Sequence, residues 1–90
     1  LSNYLRKNLV EMGLDIGPSE SHIIPVIFRN TEKTMRIAKH LLELGFLVPP
    51  IRPPSVPVNS SRLRISVTAF HTYDLINDFL LKLKVVLCQL

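Results

Sequence analysis

Apolar residues recur along this 90-residue chain with two different spacings, and the switches between them mark out its elements. Leu5, Leu9 and Met12 fall at i, i+4 and i+7, one stripe of a helix that Gly13 can end. Gly17-Pro18-Ser19 is a turn cluster. Ile23 to Phe28 is a short run rich in isoleucine and valine, and it predicts a strand. Pro25 lacks an amide donor and places that strand at a sheet edge or at its own start. Asn30 is an N-cap, with Glu32 in the first turn of the helix it opens. From Thr31 the spacing is helical again. Met35, Ala38, Leu41 and Leu42 are predicted to share a buried face, widened by Ile37 and Leu44, and Gly45 supplies the left-handed residue that closes the helix. Phe46-Leu47-Val48 predicts a second strand. Arg62 to Val67 alternates, with Leu63, Ile65 and Val67 on one face and Arg62, Arg64 and Ser66 on the other. His71 or Thr72 then caps a last helix with Asp74 in its first turn. Its predicted buried stripe is Ile76, Phe79, Leu80, Leu83 and Leu87.

The order helix, strand, helix, strand, strand, helix predicts an α+β, two-layer small domain. Its sheet is short, three-stranded and mainly antiparallel, with the helices packed on one face. Residues 1–16 form a leading helix and 20–90 the sheet-and-helix body. The second sheet face, which carries Arg62 and Arg64, is left free to meet something.

Composition narrows the classes. Hydrophobic residues make up 47% of the chain, enough for a folded core. The net charge is +4, from 11 Lys+Arg against 7 Asp+Glu. The basic residues are spread from Arg6 to Lys84 without a dense run, which argues against a nucleic-acid tract. Cys88 is the single cysteine, so an internal disulfide is excluded and a reducing compartment such as the cytoplasm is expected. His22, His40 and His71 are too scattered to form a metal set. No apolar run reaches the roughly 18 residues of a membrane span, and Arg6, Lys7 and Glu11 interrupt any secretory layout. The chain begins at Leu1, which fits a piece of a longer polypeptide.

The candidate chemistry sits in the stretch Ile51-Arg52-Pro53-Pro54-Ser55-Val56-Pro57 and in Arg62-Leu63-Arg64. Five prolines fall between Pro49 and Pro57. Each fixes φ and removes a donor, and each drives the preceding residue toward extended geometry. A stiff loop is predicted, neither helix nor central strand. Two guanidiniums on one face beside it suit a carboxylate or a phosphate, since a planar fork can take either through two parallel hydrogen bonds. Pattern alone leaves Arg64 open between an anion clamp and a solvated sheet residue. Ser55 is open between a turn hydroxyl and a ligand contact, and Arg52 between a ligand contact and a loop brace.

These residues resemble the C-terminal signature of the α-oxoamine synthases, pyridoxal-phosphate enzymes that join an amino acid to an acyl-CoA. The resemblance takes in Ile23-Ile24-Pro25-Val26-Ile27, the helix ending at Gly45, the proline loop, Arg62-Leu63-Arg64 and Ala69-Phe70-His71. It implies the C-terminal domain of a fold-type-I enzyme. It also implies that Arg64 clamps the substrate's α-carboxylate and that Ser55 contacts substrate. Arg52, in the Arg-Pro-Pro form typical of the biotin-synthesis branch, is implied to face an acyl chain that ends in a carboxylate. Arg62 is read as structural. Asn59-Ser60 departs from the Gly-Thr often found in the family, although asparagine tolerates the left-handed region. No lysine stands in a cofactor-attaching context, and neither the aspartate that pairs with the pyridine nitrogen nor a phosphate-binding turn is present. The resemblance therefore implies no catalytic, cofactor-binding or metal residue in this chain. Pyridoxal phosphate would be held by a large domain, and the full-length enzyme would be a homodimer without nucleic-acid or membrane partners. The chain by itself is expected to be inactive. Its first helix, with Leu5 and Leu9 uncovered, is expected to promote self-association. Competing readings are a glycine-using ligase of the same family, a basic module that binds RNA through its sheet, and an interaction domain built on the proline loop.

Overall fold

Three helices and three strands follow one another in the predicted order: α1 (Ser2–Glu11), β1 (Ile23–Arg29), α2 (Thr31–Glu43), β2 (Pro50–Ile51), β3 (Ser61–Ser66) and α3 (Tyr73–Cys88), with a single 3-10 turn at Val67–Ala69 before α3. This computed structural model describes residues 2–18, 22–70 and 72–89. The sheet order is β1-β3-β2 with both pairings antiparallel, so the strand bearing the two arginines is central. Ile24 and Val26 of β1 and Leu63 and Ile65 of β3 are buried on one face. They join Ile37 and Leu41 of α2 and Ile76, Phe79 and Leu83 of α3 in a single core. Pro25 lies in an edge strand. Two residues on, the Ile27 amide donates outward to the Asp15 carbonyl at 2.8 Å. Strand alternation turns Pro25 to that same outer side, where its missing donor breaks no bond of the ladder.

Local chemistry sets most helix ends. The Asn30 side chain accepts from the Lys33 amide at 2.8 Å, and Thr72 Oγ1 accepts from the Leu75 amide at 3.1 Å. Each satisfies one of the orphan donors of a first turn. His71, the alternative cap, lies outside the described residues. Gly45 closes α2 with φ +98°. Its amide reaches Leu42 O at 3.0 Å and the next amide, of Phe46, reaches Leu41 O at 2.8 Å. These are the paired bonds of a Schellman motif. Asn59 takes φ 62°, the left-handed turn expected of it.

Four expectations need correction. First, Met35, Leu42 and Leu44 are exposed, and the buried stripe of α2 is Thr34, Ile37, Ala38 and Leu41. Thr34 can enter the core because its hydroxyl donates to the Asn30 carbonyl at 2.7 Å, leaving no polar atom stranded. Second, Val86 replaces Leu87 in the fully buried set of α3, and Leu87 is only half-buried. Third, Leu5 and Leu9 are fully buried. The helix α1 lies against α3, where the Tyr4 ring meets Tyr73 edge-on at 5.0 Å and the Tyr4 hydroxyl bonds the Asn77 side-chain oxygen. The surface expected to drive self-association is therefore closed within the chain.

The fourth concerns the second strand, which is Pro50–Ile51 and not Phe46-Leu47-Val48. Its register pairs Pro50 with Leu63 and Ile51 with Arg62, so Pro49 stands opposite Arg64. The Arg64 amide donates to Pro49 O at 2.9 Å, but proline has no amide to return the bond. The ladder stops there, and the segment from Gly45 to Pro49 leaves the sheet edge.

Candidate functional site

The free sheet face is built by alternation. Pairing sets Pro25 opposite Arg64, Ile27 opposite Arg62 and Ile23 opposite Ser66. Cross-strand partners share a face, so both arginines stand among short or branched neighbours on the side away from the helices. Arg64 is exposed at mid-strand. The ion pairs formed by described residues are Arg29–Asp15, Arg36–Glu32, His40–Glu43 and Lys82–Asp78. None involves Arg64, whose guanidinium has no hydrogen-bonding partner among the described residues. Arg62 differs. It is half-buried, and its Nε donates to Ser60 O at 3.0 Å, which braces the turn leading into β3.

Two hollows flank the short strand β2. The larger, of about 370 Å³, lies under the segment that Pro49 turns away from the sheet. Its walls are Phe46, Leu47, Val48, Ile65, Phe70 and Leu75, and among the described residues Arg64 is the only charged one that lines it. Three rings fix one side: Phe70 and Phe79 lie 5.2 Å apart and Phe46 lies 5.3 Å from Phe79. The smaller hollow, of about 280 Å³, is formed by the proline loop and is lined by Arg52 and Ser55 among others. The Ser55 amide closes that loop onto Arg52 O at 3.1 Å, while the Ser55 hydroxyl and the Arg52 guanidinium have no partner among the described residues. The structure thus brings Arg52 and Ser55 together and sets Arg64 in the neighbouring hollow, with β2 between them. Sequence reading missed the larger hollow because its walls come from four separate stretches. The local signal was Pro49 placed opposite the arginine strand.

This arrangement is a three-stranded antiparallel layer with helices α2 and α3 beneath it and two arginines above, of which Arg64 has no side-chain partner among the described residues. It is the sheet layer of an α+β domain. The sequence model of the family described as aminotransferase class I and II matches residues 1–83, and the chain belongs to that family. Within it the similarity lies with the α-oxoamine synthases. The chain is 48% identical over 69 residues to a protein of Bacillus cereus provisionally named 8-amino-7-oxononanoate synthase, covering 77% of this chain and 18% of that protein. A relative from Bacillus mycoides matches to the same extent. Among solved structures, serine palmitoyltransferase of Sphingomonas wittichii superposes with a TM-score of 0.87 at 30% identity, over 94% of this chain and 22% of that one. The 8-amino-7-oxononanoate synthase of Francisella tularensis shares the fold at a TM-score of 0.77 and 19% identity, over 98% of this chain and 25% of that one. The chain thus spans about a fifth of the length of the relatives it matches.

One solved serine palmitoyltransferase carries pyridoxal phosphate. The described residues lining the two hollows beside β2 do not fit that cofactor, because they include no lysine to attach it and no carboxylate to pair with its ring nitrogen. Lys82 is tied to Asp78 at 2.8 Å and Lys33 sits 5.8 Å from the Phe28 ring centroid. No group of three or more metal-ligating side chains occurs among the described residues, and none of their helices is long and apolar enough to cross a membrane.

Proposed function

We propose that this chain is the C-terminal small domain of a pyridoxal-phosphate-dependent α-oxoamine synthase, most like 8-amino-7-oxononanoate synthase. In the full-length homodimer it supplies the group that holds the carboxylate of the amino-acid substrate. The parent enzyme would condense alanine with a pimeloyl thioester, with loss of carbon dioxide. The cofactor would be held by polypeptide outside this chain.

The observation that carries the reading is Arg64: exposed at the middle of the central strand, on the face away from the core, with no carboxylate partner among the described residues. Its neighbour across one ladder is Pro25 and across the other Pro49. Neither ring offers an acceptor that would engage the guanidinium. A carboxylate taken at two points by a planar fork loses its freedom to rotate, so the bonds at the adjacent α-carbon keep one orientation. Lysine would preserve the charge but lose the second bond and the plane. Ser55 and Arg52, in the next hollow, are assigned to the acyl thioester, with Arg52 facing a distal carboxylate.

The test uses the full-length enzyme. Arg64→Ala should lower kcat/KM for the amino acid by about tenfold or more, the usual effect of losing one charged hydrogen-bonding partner, and Arg64→Lys should recover only part of it. The KM of the acyl thioester should stay near that of the unsubstituted enzyme. An Arg64→Ala enzyme with unchanged amino-acid kinetics would sink the assignment.

A further inference from the structure

We propose that the hollow beneath the Gly45–Pro49 segment binds the apolar chain of a medium-length monocarboxylate whose head group sits on Arg64, and that such a free acid competes with the amino acid for that guanidinium. The competition part rests on the function proposed above, whereas the binding part stands on this chain alone. The hollow exists because Pro49 cannot return the hydrogen bond it takes from Arg64. At about 370 Å³ it falls at the small end of the range for ligand sites, which suits a chain of roughly six to eight carbons.

Its chemistry is divided in a way that an amino acid as small as alanine does not need. Leu47, Val48, Phe70 and Leu75 make the walls apolar, and a single arginine supplies the charge. The walls are pre-formed, since Val48, Ile65 and Phe70 are already buried core residues and Phe46 is held against Phe79. Leu47 is different. It is 77% exposed although it borders the hollow, so its side chain is available to close over a bound chain. A further donor points the same way. Strand alternation turns the Ser66 amide toward the same open edge as the Arg64 amide, and it has no acceptor among the described residues. An amphiphile with one anionic end and one unbranched apolar end satisfies all of these features together. A bare inorganic anion would leave the apolar walls wet.

The test titrates this chain with octanoate, acetate and octylammonium and follows backbone amide shifts by NMR. Octanoate should bind roughly tenfold or more tighter than acetate, because burial of several methylenes is added to the same head-group contact. Octylammonium should bind no better than acetate. Shifts should concentrate at Phe46, Leu47, Ser66 and Leu75. Arg64→Gln should weaken octanoate by about tenfold or more, and the uncharged Leu47→Ser, at a position 77% exposed, should weaken it while leaving acetate nearly unchanged. Octanoate binding equal to that of acetate, or shifts confined to the outer face of α2, would overturn the proposal. Competition is then read in the full-length enzyme as a rise in the apparent KM for alanine with added octanoate. Octanoate binding to this chain without such a rise would refute competition and keep the hollow. Normal amino-acid kinetics in Arg64→Ala would refute the carboxylate role instead.

Discussion

Two residues show how one polar atom decides what a side chain can do here. Thr34 is fully buried among apolar neighbours because its hydroxyl finds the Asn30 carbonyl at 2.7 Å. That carbonyl also takes the Thr34 amide at 3.0 Å, so removing the hydroxyl strands no acceptor. Thr34→Val should therefore change stability by only about 1 kcal/mol, measured as a shift of the denaturation midpoint. A loss on the order of 3 kcal/mol would mean that the hydroxyl has a further partner. Arg64 is the reverse case. Nothing within the described chain engages its guanidinium, so its cost of exposure is small and its capacity to bind is intact. Its placement on the free face could be read from the alternation of Arg62 to Val67. Its lack of a partner could not, because any of the seven acidic residues might have folded back onto it.

At the scale of elements, the ends were more legible than the faces. Asn30, Gly45 and Thr72 act within four residues of their own positions, so local sequence contains all that each needs. Gly45 gives a clean test. Its φ is +98°, and a Cβ built there meets nothing within 4 Å. The effect of substitution is then purely that of the backbone. Gly45→Ala should destabilise by about 1 kcal/mol or more, and Gly45→Asn by less, because asparagine accepts the left-handed region more readily. Equal losses for the two would indicate that crowding, not φ, sets the cost. The buried face of α2 was misread for a physical reason. Met35 and Leu42 are as apolar as the residues that were buried, and helical spacing admits two adjacent stripes. The stripe that starts at Thr34 won because β1, β3 and α3 all converge on it. The short strand β2 was misplaced for a related reason. Phe46-Leu47-Val48 has strand-like composition, but the two amides after the helix are taken by its closing motif, and Pro49 ends the ladder three residues further on.

For the whole molecule, α1, the sheet, α2 and α3 share one core. Among the described residues, neither hollow beside β2 is lined by a lysine or a carboxylate, and the one on the outer face of α2, lined by Glu32 and Lys39, lies away from Arg64. Pyridoxal phosphate added to this chain should therefore bind no more tightly than it does to scattered surface lysines, checked by absorbance titration and by mass mapping of reduced adducts. A saturable site on one lysine would contradict the division of labour proposed for the parent enzyme. Large apolar residues that remain exposed, among them Met35, Leu42, Leu81 and Val85, are spread over α2 and α3, while Leu5 and Leu9 are covered.

By itself the sequence determined the order of the elements, the caps that begin and end the helices, and the side of the central strand on which the arginines stand. All of these follow from spacing and from residues acting on their immediate neighbours. Tertiary structure alone decided which stripe of α2 was buried, how α1 closed over the core, and where the second strand stopped. It also opened the hollow beside Arg64. Those outcomes depend on contacts between residues far apart in the chain, where several apolar arrangements satisfy the local pattern equally and only mutual packing, or a missing amide opposite a strand, separates them.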